Sequence, residues 1–176
     1  IEAIRGEEAN VAIINGNYDD AVRCAAEDAG DRCLVVSDTS WPGYEKPPRW
    51  VIDGYSTIFW EIEETLAGQG RPGPDLVAVQ VGVGAFASAV VRHFRRPGLE
   101  NPPKIVSVEP LKAACLMASV EAERVVTLPG EGTQDSIMAG LNCGTPSPVA
   151  FPICSTGIDA FVAIEDERAR EGMRDL

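Results

Sequence analysis

Apolar positions along the chain fall into short unbroken runs, separated by stretches in which they recur at helical spacing. Residues 11–14, 33–36, 76–81, 104–108 and 160–164 are predicted strands. Solid apolar runs, rather than alternating ones, mark parallel strands covered on both faces. Between them, Asn17 is placed to N-cap a helix over 18–28, with Asp19 and Asp20 in its first turn and Gly30 as its stop. Ile52, Tyr55, Phe59, Ile62 and Leu66 predict an amphipathic helix over 50–66. Further helices are expected after the glycines at 82 and 84 to about Arg95, over 111–120, over 136–143, and from Glu165 onward. A glycine-rich loop covers 129–132, and a proline-studded connection runs through Pro152. Strands alternating with helices predict an α/β fold, a three-layer sandwich with a mostly parallel sheet. The loop over 37–49, rich in proline, glycine and aromatics, is the expected domain boundary.

The run from Asp75 to Arg92 carries the most chemical information. A buried strand leads into Gly82-Val83-Gly84-Ala85 and then into a helix of small apolar residues. Without a Cβ in the way, backbone N–H groups can approach an anion, and the helix dipole favours negative charge there. The turn lacks the lysine of a P-loop and does not complete a dinucleotide fingerprint. On these residues alone it is either a phosphate cradle or a plain tight turn.

Composition narrows the partners. The net charge of −12 comes from scattered acidic residues, which opposes binding to nucleic acid or an anionic membrane surface. No apolar stretch reaches the length of a membrane span. The five cysteines are odd in number, widely spaced and without a C-x-x-C, so neither a zinc site nor a disulfide framework is expected, and no metal. The one histidine, His93, sits beside Arg92, Arg95 and Arg96 and reads as a solvated helix-end residue. The opening residues show neither an initiator methionine nor a signal-peptide pattern, as if the chain entered in mid-domain.

The glycine turn resembles the phosphate loop of fold-type II pyridoxal-phosphate enzymes, the tryptophan synthase β group. Four other stretches are similar to the diaminopropionate ammonia-lyases of that group. They are Asn17-Tyr-Asp-Asp-Ala-Val-Arg23, Val35 to Tyr44 running on to Pro48-Arg-Trp50 and Gly54-Tyr55, Val108-Glu-Pro110 with Ala114-Cys115, and Ser136 to Pro146 with Glu171-Gly-Met-Arg174. The resemblance implies pyridoxal 5′-phosphate as cofactor and α,β-elimination of 2,3-diaminopropionate to pyruvate and ammonia. It implies a small amino-acid substrate, a cytoplasmic setting and a homodimer in the complete enzyme. Residues 1–40 would be the end of the small domain and 41–176 part of the large one. The family's Schiff-base lysine segment has no counterpart here, since Lys46, Lys104 and Lys112 do not match its position. The strand that faces the pyridine nitrogen is also missing, so this chain resembles an internal piece of a longer enzyme, inactive by itself. Other readings are another dehydratase or synthase of the group, or a non-catalytic binding module on the same scaffold.

The resemblance makes Gly82, Val83, Gly84 and Ala85 the phosphate anchor. Asp38 becomes a carboxylate facing the substrate, taking a Cα proton or holding the distal ammonium; otherwise it caps the Ser40 or Trp41 amide. Glu109 faces the cofactor ring, caps a helix or lies in solvent. Tyr44, with Trp41 and Trp50, walls the site or packs the loop. Met138, Ala139 and Gly140 line the substrate side or pack in the core. Cys115 and Cys143 fall in two site-proximal motifs, with no pairing inferred.

Overall fold

A computed structural model of the chain describes residues 1–129 and 134–176, so the expected glycine-rich loop falls, at 130–132, outside the described residues. Three parallel strands form the centre in the order β1 (Leu76–Gln80), β2 (Lys104–Pro110), β3 (Ala160–Ile164). Leu76 pairs with Lys104 and Gln80 with Val108, while Val106 pairs with Ala160 and Pro110 with Ile164. All three strands therefore end on one side, where α/β proteins build their sites.

Seven α-helices are formed among the described residues: α1 (Glu2–Gly6), α2 (Tyr18–Glu27), α3 (Lys46–Gly68), α4 (Ala85–Phe94), α5 (Cys115–Glu121), α6 (Phe151–Gly157) and α7 (Asp166–Asp175). α2 starts where the sequence placed it. The Asn17 side chain accepts from the Asp20 amide at 3.0 Å, and the Asp20 carboxylate accepts from the Asn17 amide at 2.9 Å, a reciprocal capping box. α3 starts earlier than periodicity suggests, because Pro47 and Pro48 suit a helix's first turn. It lays Ile52 and Phe59 into the core, and Phe59 meets Phe86 and Phe94 of α4 with ring centroids 5.6 and 6.1 Å apart.

α4 is the buried helix of the fold, sealed along Ala87, Ala89, Val90 and Val91. Gly157, at the end of α6, lets that helix approach α4 closely at Val91. A Cβ on Gly157 would lie 2.1 Å from Val91 Cγ1, far inside contact distance. Gly157→Ala is therefore expected to destabilise the full-length protein by about 1–3 kcal/mol through overpacking. Urea unfolding will show this as a lower midpoint at unchanged slope. A midpoint equal to wild type would mean that α6 shifts freely.

His93 is not solvated. The C-terminal end of α4 lies beneath α3, so the ring is buried against Phe59 and Phe94. Its Nε2 sits 3.0 Å from Glu63 Oε1, off the line of a straight hydrogen bond. Two expected strands are not strands. Residues 11–14 make no ladder, and 33–36 contribute only an isolated bridge between Gly30 and Cys33. An extended segment becomes a strand only by pairing, and this sheet ends at β1 and β3; Leu34 and Val36 stay 84% and 74% exposed. The helix expected over 136–143 shrinks to a 3₁₀ turn, Ala139–Leu141. Conversely, the supposed proline-rich connection contains α6, with Pro152 in its first turn. No described helix is long and apolar enough to cross a membrane.

Candidate functional site

β1 delivers the chain into the glycine turn at the C-terminal edge of the sheet. Gly84 takes φ +96°, a left-handed conformation that side-chain-bearing residues rarely adopt, and opens α4 as its N-cap. Gly82 serves close approach instead. A Cβ there would sit 3.1 Å from Cys143 Sγ and 3.4 Å from the Gly140 carbonyl. The turn thus holds the 140–143 segment against itself, with a cavity of about 210 Å³ beside it.

The amides of Gly82, Gly84, Ala85, Phe86 and Ala87 donate to no acceptor among the described residues. All five residues line the cavity. No side chain caps α4, and no acidic residue lies in its first turn. Unfilled donors at the positive end of a buried helix form an anion site. Val83 lines the cavity too, but its N–H faces the Cys143 sulfur. The free amides extend two residues beyond the Gly82–Ala85 motif, because a helix N-terminus exposes its whole first turn, not only its glycines.

Asp38 reaches the same cavity from the loop before α3. Its Oδ1 accepts from the Tyr18 hydroxyl at 3.1 Å. Burial and the Asp38 charge push the Tyr18 phenol well above its ordinary value, so it stays a neutral donor. The alternative capping role for Asp38 is not formed: the Ser40 amide goes to Ser147 Oγ and the Trp41 amide to the Tyr44 carbonyl. Burial raises the Cys143 thiol to about 12 and pushes the Cys115 thiol up as well, so both remain protonated. Cys115 donates to the Gly82 carbonyl at 3.5 Å, and all five cysteines are free.

Other expected residues lie elsewhere. Tyr44 stacks on Trp41 with centroids 4.1 Å apart, and its hydroxyl bridges the Ser37 amide and the Val35 carbonyl. It packs its own loop and does not line the cavity, while Trp50 points to solvent. Of Met138, Ala139 and Gly140, only Gly140 borders the cavity; Leu141 and Cys143 join it. Sequence reasoning missed Tyr18, which the capping residues at 17 and 20 overshadowed, and Tyr55, which reads as core spacing. No lysine lines the cavity: Lys46 opens α3, Lys104 pairs with Asp159 at 2.8 Å, and Lys112 lies in the turn after β2.

Glu109 does not face the cavity. It is fully buried, and its two oxygens accept from the Leu116 and Met117 amides at 2.8 and 2.9 Å, closing the start of α5. Burial pushes its carboxyl from 4.5 up to about 7, against the pull of those two bonds. The folded chain then holds a proton that the unfolded chain has released between these values. The contribution of Glu109 to stability is therefore fullest below pH 4.5 and is lost as pH rises through about 7, by on the order of 3 kcal/mol. In Glu109→Gln this fall is expected to vanish from a plot of unfolding free energy against pH. A slope unchanged by the substitution would assign it to other groups.

A parallel α/β scaffold with an anion cradle at a helix N-terminus, beside a tyrosine-held carboxylate, defines a cofactor-dependent enzyme core. The family model for pyridoxal-phosphate dependent enzymes matches residues 1–176, and the chain belongs to that family. The cradle fits such a cofactor: five free amides that line one cavity at the start of α4 suit a phosphate. The chain is 38% identical over 174 residues to a diaminopropionate ammonia-lyase of Salmonella typhimurium, covering 98% of this chain and 43% of that protein. It is 35% identical over 179 residues to the Escherichia coli diaminopropionate ammonia-lyase, covering 100% of this chain and 44% of that one. The crystal structure of the Escherichia coli lyase in complex with D-serine superposes with a TM-score of 0.88 at 34% identity, over 100% of this chain and 43% of that chain. The chain thus spans less than half the length of these relatives.

Proposed function

We propose that this chain forms the phosphate-binding and acid–base part of an ammonia-lyase that expels the β-amine of 2,3-diaminopropionate as ammonia, the product then taking up water to give pyruvate and a second ammonia. The observation that carries the proposal is the single cavity shared by the free α4 amides and the Asp38 carboxylate. Bound pyridoxal phosphate supplies the electron sink that makes a Cα proton acidic. The amides of Gly82, Gly84, Ala85, Phe86 and Ala87 hold its phosphate through N–H donation and the α4 dipole. Asp38 removes the Cα proton of one enantiomer or holds the distal ammonium of the substrate. The Tyr18 hydroxyl fixes the carboxylate's orientation while leaving Oδ2 free for that work. Gly140 and Leu141 line the same cavity, on the side where the substrate would lie.

Residues 1–40 belong, on this reading, to the small domain and 41–176 to the large one. In support, no residue before Thr39 is buried. The proposed setting is cytoplasmic, and the complete enzyme a homodimer.

The test is a substrate panel on the full-length gene product with added pyridoxal phosphate. Pyruvate release from 2,3-diaminopropionate well above that from serine is the expected result. Preference for serine or threonine would move the reading to another dehydratase of the same fold.

A further inference from the structure

The loop that carries Asp38 has no regular secondary structure, yet the proposed chemistry needs its carboxylate held still. Most of its hydrogen bonds are local. Tyr44 ties it to itself through Val35 and Ser37, and Thr39 donates to Ser37 Oγ. The Tyr18 contact ties it to α2. Among the described residues, residues 33–44 hydrogen-bond to the part of the chain after residue 45 only through Ser40. The Ser40 amide donates to Ser147 Oγ at 3.0 Å, the two hydroxyls lie 2.9 Å apart, and the Val149 amide donates to Ser40 Oγ at 3.0 Å. Both serines are buried.

The far side of this pair leads directly to the cofactor cradle. The Ser147 amide donates to the Val83 carbonyl at 2.8 Å, inside the glycine turn. One residue, Thr39, separates Asp38 from the pair on one side, and one hydrogen bond separates the glycine turn from it on the other. The same segment also fastens α2, because Thr145 Oγ1 donates to Asp19 Oδ2 at 2.9 Å. A Cβ on Gly144 would press within 2.8 Å of that carboxylate oxygen.

We propose that Ser40 and Ser147 are positioning residues: a buried clasp that sets the distance between Asp38 and the glycine turn, and so governs proton removal at Cα. The proposal rests on the lyase reading above. Neither serine lines the cavity, so their effect passes through Asp38. Loss of either hydroxyl leaves a buried amide without its acceptor and frees the loop to drift. Misplacement of a reacting group by about 1 Å can cost roughly 100-fold in rate.

The test uses full-length enzyme loaded with pyridoxal phosphate, comparing Ser147→Ala, Ser40→Ala and Ser147→Thr with wild type. In both alanine variants kcat per bound cofactor is expected to fall about 10–100-fold. KM should stay within about threefold, and the isotope effect with Cα-deuterated substrate should rise. The threonine variant, which keeps the hydroxyl, should recover most of the rate. In the cofactor-free protein, amide hydrogen exchange over residues 37–44 should accelerate in the alanine variants. Turnover per bound cofactor within twofold of wild type in both alanine variants would overturn the clasp and leave the lyase reading intact. So would failure of both alanine variants to take up cofactor, since the pair would then be structural alone. A wild-type enzyme that loads cofactor but releases no pyruvate would overturn the lyase reading, and the clasp with it.

Discussion

Asp38→Asn in the full-length enzyme is expected to lower kcat for one enantiomer of 2,3-diaminopropionate by about 10²–10⁴-fold, the usual contribution of a positioned base. Asparagine matches the shape of aspartate and still offers an oxygen to the Tyr18 hydroxyl, so the loop should stay in place. It cannot accept a proton from carbon. The two roles open to Asp38 separate in the kinetics. If it removes the Cα proton, kcat falls for one enantiomer while KM barely moves. If it holds the distal ammonium, KM rises for both enantiomers instead. Steady-state rates on the separate enantiomers decide, and rates within threefold of wild type on both would remove Asp38 from the site.

Gly84→Ala is expected to weaken cofactor binding about 10–100-fold and to cost about 1–3 kcal/mol of stability. Two effects combine. At φ +96° any side chain is strained, and the new Cβ would lie 3.2 Å from Ala150 Cβ. Relief of either requires the first turn of α4 to move, which redirects the amides that face the cavity. Gly98 separates the effects, because it has φ +85° with nothing within 4 Å of a built Cβ. Gly98→Ala should therefore show strain in unfolding experiments and leave cofactor titration unchanged. Equal cofactor affinity in Gly84→Ala and wild type would mean that the phosphate does not rest on these amides.

The sheet was legible in sequence where two apolar runs pair with each other. The apolar runs that became β1, β2 and β3 each pair with another run of this chain. Residues 11–14 and 33–36 look equally strand-like, but pairing is a tertiary property that local composition does not encode. α2 was legible down to its cap, because Asn17 and Asp20 act on each other three residues apart. The glycine turn was legible for the same local reason. Tyr18, Ser40 and Ser147 were not, since their roles depend on contacts across 20 and 107 residues. Tyr44 and Glu109 sit in the right motifs, but their polar atoms are taken by nearby backbone groups, which sequence position alone does not reveal.

The most direct measurement is a crystal structure of the full-length enzyme with pyridoxal phosphate bound. The phosphate oxygens are expected within about 2.7–3.2 Å of amide nitrogens in the turn from Gly82 to Ala87, with the Asp38 carboxylate facing the same cavity. A phosphate seated elsewhere, with these amides turned to water, would contradict the account at its base.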